Sequence, residues 1–179
     1  MLHKDVESVL ISQEKLENIV KTLAKQIEKD YNDKEFMMVG LLKGSVVFMT
    51  DLMKQINLDF PIDFIIASSY GSGTESSGRV KIVSDLTLSC EKKDILIVED
   101  IVDSGNTLNF VMNYLMTKGA NSVKVCTLCD KPSRRKVPLT PDYCGAQIPD
   151  EFIVGYGLDY AELYRNLCYI GVLRRSVYE

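Results

Sequence analysis

The residues best suited to chemistry stand in one run, Ile95-Leu96-Ile97-Val98-Glu99-Asp100-Ile101-Val102-Asp103-Ser104-Gly105-Asn106-Thr107. Four apolar residues of strand type lead into carboxylates, and the carboxylates lead into a small polar turn before a helix-like stretch from Leu108. Held at the carboxyl end of a buried strand, Glu99 and Asp100 present acceptor-only oxygens, which suit sugar hydroxyls or a hydrated Mg²⁺. Ser104, Gly105, Asn106 and Thr107 supply hydroxyls and backbone N–H groups at a helix start, where unpaired amides and the helix dipole favour a phosphate. Gly105 lets the backbone approach that phosphate closely. For a lone Asp-x-Gly turn the plainer reading is an acidic turn with Asp103 or Thr107 capping the helix. Three acidic groups beside a phosphate cradle repel it unless a cation is present, so a sugar phosphate accompanied by a metal satisfies both halves.

The elements that must position this run alternate between strand and helix. Ser12 can cap a helix whose apolar residues Leu16, Ile19, Val20, Leu23, Ala24 and Ile27 keep helical spacing. Phe36 to Leu42 is a continuous apolar run of strand length, followed by Lys43-Gly44-Ser45 and a helix-like stretch from Val46 to Ile56. Ile62 to Ser69, Ile95 to Val98 and Val123 to Cys129 read as further strands, and Leu108 to Met116 as a helix ended by Lys118-Gly119. Such alternation predicts an α/β fold with a mostly parallel sheet flanked by helices, and it places ligands at the carboxyl ends of the strands. The polar stretch Gly71 to Gly78 cannot pack by itself and reads as a surface loop.

Composition bounds the rest. With 179 residues, 46% of them hydrophobic, the chain fits one domain spanning 1–179. Acidic residues outnumber basic ones, 25 to 21, so the balance favours neither a nucleic-acid nor a membrane partner. No apolar run approaches membrane-spanning length, and the N-terminal residues lack a signal-peptide core, so a cytoplasmic location is expected. Cys90, Cys126, Cys129, Cys144 and Cys168 are odd in number and unevenly spaced, which predicts reduced thiols. The Cys126/Cys129 pair lies in an apolar stretch and reads as packed thiols rather than a metal or redox site.

The 95–107 run resembles the phosphoribosyl pyrophosphate (PRPP) motif of the type I phosphoribosyltransferases, in its order of four apolar residues, two acids, two apolar residues, Asp, a hydroxyl residue and Gly-x-Thr. The resemblance implies that Glu99 and Asp100 hold the ribose hydroxyls and their metal. Ser104 to Thr107 would bind the 5′-phosphate, and Asp103 would accept a proton near the purine N7. It extends over roughly residues 8 to 173 and narrows to the hypoxanthine-guanine branch. Leu42-Lys43-Gly44-Ser45 is similar to that family's pyrophosphate loop, in which a non-proline cis peptide precedes the lysine. Ser68-Ser69-Tyr70, with the stretch to Arg79-Val80-Lys81, resembles its mobile catalytic loop, so Ser69 and Tyr70 join Asp103 in the implied catalytic set. Lys131 matches the lysine that donates to a purine 6-oxo group, a poor match to adenine's amino group. Phe152 matches the stacking aromatic, Ile153 the backbone reader of the base edge, Asp159 a metal ligand and Arg165 the pyrophosphate-facing arginine. Taken singly, Lys43 and Lys131 read as solvated lysines, Phe152 as core and Arg165 as surface.

What the resemblance implies is a sheet with flanking helices and a small hood built from the N- and C-terminal segments. It further implies Mg²⁺ as cofactor, held with Glu99, Asp100 and Asp159, and transfer of phosphoribosyl from PRPP to hypoxanthine or guanine, giving IMP or GMP and pyrophosphate. The partners would be these small molecules, with a homo-oligomer, dimer or tetramer, as the assembly. Ser104 stands where threonine is commoner, which keeps the hydroxyl. Two other readings stay open here: a nucleotide-sensing module without catalysis, and a sister enzyme acting on xanthine or another base.

Overall fold

In a computed structural model of the chain, residues 2–70 and 79–179 are described, and the side chains of residues 69, 70 and 79 lie outside that description. Ser12 begins the first helix as expected: its hydroxyl accepts the Lys15 N–H at 3.3 Å. This helix, α1 (Gln13–Tyr31), buries Leu16, Val20, Leu23, Ala24, Ile27 and Tyr31 along the predicted stripe. Every residue of β2 (Phe36–Leu41) is buried, as a strand covered on both faces requires. It is followed by α2 (Val46–Gln55) and β3 (Ile62–Tyr70), which pairs with β2 in parallel. The alternation continues through β4 (Arg79–Ser84), β5 (Asp94–Val102), α3 (Asn106–Thr117), β6 (Ser122–Asp130) and β7 (Tyr143–Gln147). The main sheet has the order β4-β3-β2-β5-β6-β7, with β4 alone antiparallel to its neighbour.

Alternate residues of the central strands feed two apolar layers. Met38, Leu96, Val98, Cys126 and Leu128 pack with α1 and α2 on one face. Met37, Val39, Ile95, Ile97 and Val125 pack with α3 on the other. Each such side chain contributes about 1.5–3 kcal/mol by leaving water, and together they fix the strand ends. The chain passes from β2 outward to β3, while β5 lies on the other side of β2. The carboxyl ends of β2 and β5 therefore flank the crevice that an open sheet of this kind offers a ligand.

Beyond this sheet, β1 (Val6–Ile11), β8 (Ile153–Val154) and β9 (Ile170–Leu173) form a three-stranded antiparallel sheet in the order β1-β9-β8. A short helix, α4 (Arg175–Tyr178), follows. This is the expected hood of terminal segments. Hydrophobic periodicity did not single out its strands, because β8 has two residues and β1 buries only its two ends. Two details differ from expectation. The strand expected over Ile95 to Val98 continues to Val102, so Glu99 and Asp100 stand within it, kept in the ladder by pairing of Glu99 with Thr127 and Ile101 with Cys129. The cap of α3 is Gly105, at φ +80 and with no side-chain cap bond, so neither Asp103 nor Thr107 serves that purpose. All five cysteines are free thiols, and burial pushes those of Cys126 and Cys129 far up.

Candidate active site

Two cavities meet at the carboxyl end of β5. One, of about 250 Å³, is lined by Leu42 and Gly44 after β2, by Glu99 and Asp100, and by Ser104, Gly105 and Thr107 of the turn before α3. The other, of about 480 Å³, is lined by Lys131, Arg134, Phe152, Ile153, Leu158, Asp159 and Tyr178. Asp100, Ile101 and Asp103 line both. The acidic run thus separates an oxygen-rich compartment from one with an aromatic ring and an ammonium group.

Backbone packing sets the first compartment. A non-proline cis peptide joins Leu42 to Lys43, as the family resemblance implied. Gly44 lies against the Asp100 carboxylate, so a β-carbon there would collide with it. Gly157, at φ +102, lies in turn against the Gly44 carbonyl. Asp100 Oδ1 accepts the Ile101 N–H at 2.9 Å, which orients a carboxylate that is itself buried. The buried Glu99 carboxyl is raised well above its ordinary range by burial first and by the adjacent Asp100 charge second. The turn 103–105 is buttressed from below: Lys136 N–H donates to Ser104 O at 2.9 Å, and Arg135 packs beside Gly105 while pairing with buried Asp130. Ser104 Oγ accepts the Asn106 N–H at 3.4 Å, and Thr107 lines the cavity from the first turn of α3.

In the second compartment Lys131 is buried, not solvated. Its Nζ donates to Glu151 O at 2.6 Å and stands 4.0 Å from Asp150, and burial lowers its pKa. Phe152 keeps 37% of its surface exposed and stacks on Tyr178, with ring centroids 4.8 Å apart. Ile153 is held in β8 by pairing with Val172. Asp103 is flanked by Arg134, whose Nε is 3.2 Å from Asp103 Oδ1 and whose Nη1 is 3.2 Å from Asp150.

The remaining predicted residues converge on Glu162. Its Oε2 accepts from Lys43 Nζ at 3.0 Å and from Arg165 Nη2 at 3.4 Å. Arg165 also bonds Gly157 O at 2.7 Å and Asp159 at 2.9 Å. Lys43 holds the Glu162 carboxyl below the usual carboxylate range. The structure therefore gathers Gly44, Glu99, Asp100, Asp103, Ser104, Gly105, Thr107, Lys131, Phe152, Ile153 and Asp159 along the two joined cavities, while Lys43 and Arg165 line neither and are tied to this region by ion pairs to Glu162 and Asp159. Asn106 begins α3 beside it. Ser69 and Tyr70 close β3, and their side chains, like residues 71–78, lie outside the described residues. Sequence reasoning missed Arg134, Asp150, Glu162 and Tyr178. Nearness in the chain to predicted residues could have marked Arg134, Asp150 and Glu162, whereas no local signal marks Tyr178.

The phosphoribosyl transferase domain model matches residues 9–161. The chain belongs to this family. Its relatives include the hypoxanthine-guanine phosphoribosyltransferase of Staphylococcus epidermidis, 51% identical over 177 residues that cover 99% of both chains. The crystal structure of a hypoxanthine phosphoribosyltransferase from Staphylococcus aureus superposes with a TM-score of 0.95 at 51% identity, covering 99% of this chain and 96% of that one. A hypoxanthine-guanine phosphoribosyltransferase from Bacillus anthracis gives 0.90 at 50% identity, covering 94% and 99%.

Among the described residues no three carboxylate, imidazole or thiol side chains form a cation cage. Glu99 and Asp100 line one compartment, while Asp100 and Asp159 line the other. Hard oxygen donors in ones and twos fit a Mg²⁺ that completes its shell with water and substrate oxygens. None of the described helices is long and apolar enough to cross a membrane.

Proposed function

We propose that this chain transfers the phosphoribosyl group of PRPP to N9 of hypoxanthine or guanine, giving IMP or GMP and pyrophosphate in purine salvage. The observation that carries the reading is Asp103 on the shared wall of the two cavities. In it the 5′-phosphate rests on the amides and hydroxyls of Ser104 to Thr107, and the ribose hydroxyls on Glu99 and Asp100. Lys43 and Arg165 hold the pyrophosphate, with Gly44 bringing backbone close to it. The purine stacks on Phe152, Lys131 donates to its 6-oxo group, and the backbone at Ile153 reads its edge.

As the bond from the anomeric carbon to the pyrophosphate oxygen breaks and the bond to N9 forms with inversion, Asp103 accepts the purine N7 proton. Ser69 and Tyr70 begin the segment that shields the reacting centre from water. Mg²⁺, held with Glu99, Asp100 and Asp159, supplies positive charge to the departing pyrophosphate when bound. Support for the assignment to 6-oxopurines comes from Lys131, a buried ammonium group beside an exposed aromatic face. We place the enzyme in the cytoplasm as a single domain that pairs into a dimer or tetramer.

The test is a spectrophotometric assay with PRPP and Mg²⁺, offering hypoxanthine, guanine, xanthine and adenine in turn, with an EDTA control. Metal-dependent turnover of the first two with adenine inert is expected. PRPP binding without turnover of any base would leave a sensor. Asp103→Asn should lower turnover by about 100-fold or more while PRPP affinity is kept.

A further inference from the structure

The aromatic ring assigned to the base is not held by the main core. Its backbone is tied where Phe152 O accepts the Leu173 N–H at 2.8 Å, at the end of β9. The ring itself meets Tyr160 edge-on, at 5.4 Å and 88°, and Tyr178 face-on, at 4.8 Å and 24°. With one face covered by Tyr178 and an edge by Tyr160, Phe152 is still 37% exposed and still lines the base-side cavity. Tyr178 lines the same cavity beside it.

Tyr178 lies one residue before the end of the chain, in a helix too short to hold itself in water. It is fixed from elsewhere. Arg174, just ahead of α4, donates its N–H to Asp5 O and its Nε to Lys4 O, both at 2.9 Å. Val177 and Tyr178 pack on the small apolar cluster of Val6, Val154 and Leu173 that joins the three strands of the hood. A chain of contacts therefore runs from the N-terminal strand through the C-terminal helix to the Phe152 ring.

We propose that Tyr178 is a positioning residue for the purine: its ring stacks on Phe152 and fixes the plane against which the base packs. This rests on the reading of the 480 Å³ cavity as the base site. A phenylalanine ring free to turn about its two side-chain torsions would meet a flat base in the right plane only part of the time. A stacked neighbour removes that freedom before the base arrives. The chemistry asks for a flat ring at 178 and makes no use of the phenolic hydroxyl.

Steady-state kinetics of the full-length protein tests this, with hypoxanthine and PRPP varied separately. Tyr178→Ala should raise KM for hypoxanthine about three- to tenfold, the range an aromatic pair supports, and leave KM for PRPP within about twofold. Tyr178→Phe should match the unsubstituted protein. Tyr178→Leu, which keeps apolar bulk without a flat face, should behave as Tyr178→Ala and serves if the alanine variant does not fold. An unchanged or lower purine KM in Tyr178→Ala, an equal rise in both KM values, a leucine variant like wild type, or a phenylalanine variant like alanine would each overturn the proposal. If the unsubstituted protein converts no purine, the base-site reading itself fails, and that result is reached before any variant is made.

Discussion

The two sides of the crevice are built by different means. On the β5 side, Gly44, Asp100 and the turn to Thr107 are placed by backbone packing at the ends of strands buried on both faces. On the hood side, residues 155–165 run through left-handed backbone at Tyr156, Ala161, Glu162 and Tyr164, and side-chain ion pairs position their charges. A group fixed by packed backbone has no alternative place to go. A group fixed by an exposed ion pair does, because such pairs contribute about 0–1 kcal/mol. The β5 side should therefore tolerate almost no change, and the hood side should tolerate graded change.

The largest effect expected from this contrast is at Gly44. A methyl group there meets the Asp100 carboxylate, which is buried and bonded to the Ile101 N–H and cannot swing aside without losing that bond. Gly44→Ala should cut kcat/KM by about 100-fold or more, the scale that an ångström of misplacement costs, and lower the thermal midpoint as well, since the overlap must be relieved by strain. A loss under tenfold would show that Asp100 adapts and that the rigid side is not rigid.

A medium effect is expected at Glu99, measured as stability rather than rate. Burial and the neighbouring Asp100 raise its pKa, so the folded protein binds this proton more readily than the unfolded chain does. Stability then declines as pH rises from the ordinary glutamate range through the raised folded value. Glu99→Gln removes the decline: the thermal midpoint should rise on the order of 5 °C at about pH 8, with no gain near pH 4. PRPP binding should weaken in the same variant. A midpoint that falls at pH 8 would mean the ionised carboxylate is compensated without substrate.

The same contrast explains what could be read in the sequence. The strand, turn and helix around Glu99 to Thr107 were legible because apolar runs and polar turn residues report backbone packing directly. So were α1, through its stripe and Ser12, and the alternation that gives a parallel sheet. The hood-side residues Phe152, Asp159 and Arg165 were placed only by resemblance, since no local pattern says that Arg165 will meet Asp159 or that Phe152 will stack on Tyr178. Glu162 was missed for the same reason: its partner Lys43 lies 119 positions away. The burial of Lys131 was equally hidden, because it depends on Glu151 O, 20 positions away and beyond β7, accepting its ammonium group.

The smallest effect, and the sharpest probe of the hood side, is at Glu162. Its carboxylate engages both cations assigned to pyrophosphate, Lys43 at 3.0 Å and Arg165 at 3.4 Å. A pyrophosphate that uses these cations must take them from Glu162. Both Glu162 and Lys43 are well exposed, so the competition is weak and open to screening. Glu162→Gln should tighten pyrophosphate binding about two- to fivefold by calorimetry at low ionic strength, with the gain fading as salt is added. Removing any nearby negative charge would also favour an anion, so the decisive measurement is the double substitution. In a Lys43→Met background the gain should fall below about twofold if Glu162 acts through Lys43, and persist if it acts through Arg165 or the general field. A gain that persists would mean that Glu162 does not compete for Lys43, and that the exposed pair does not set the position of that cation.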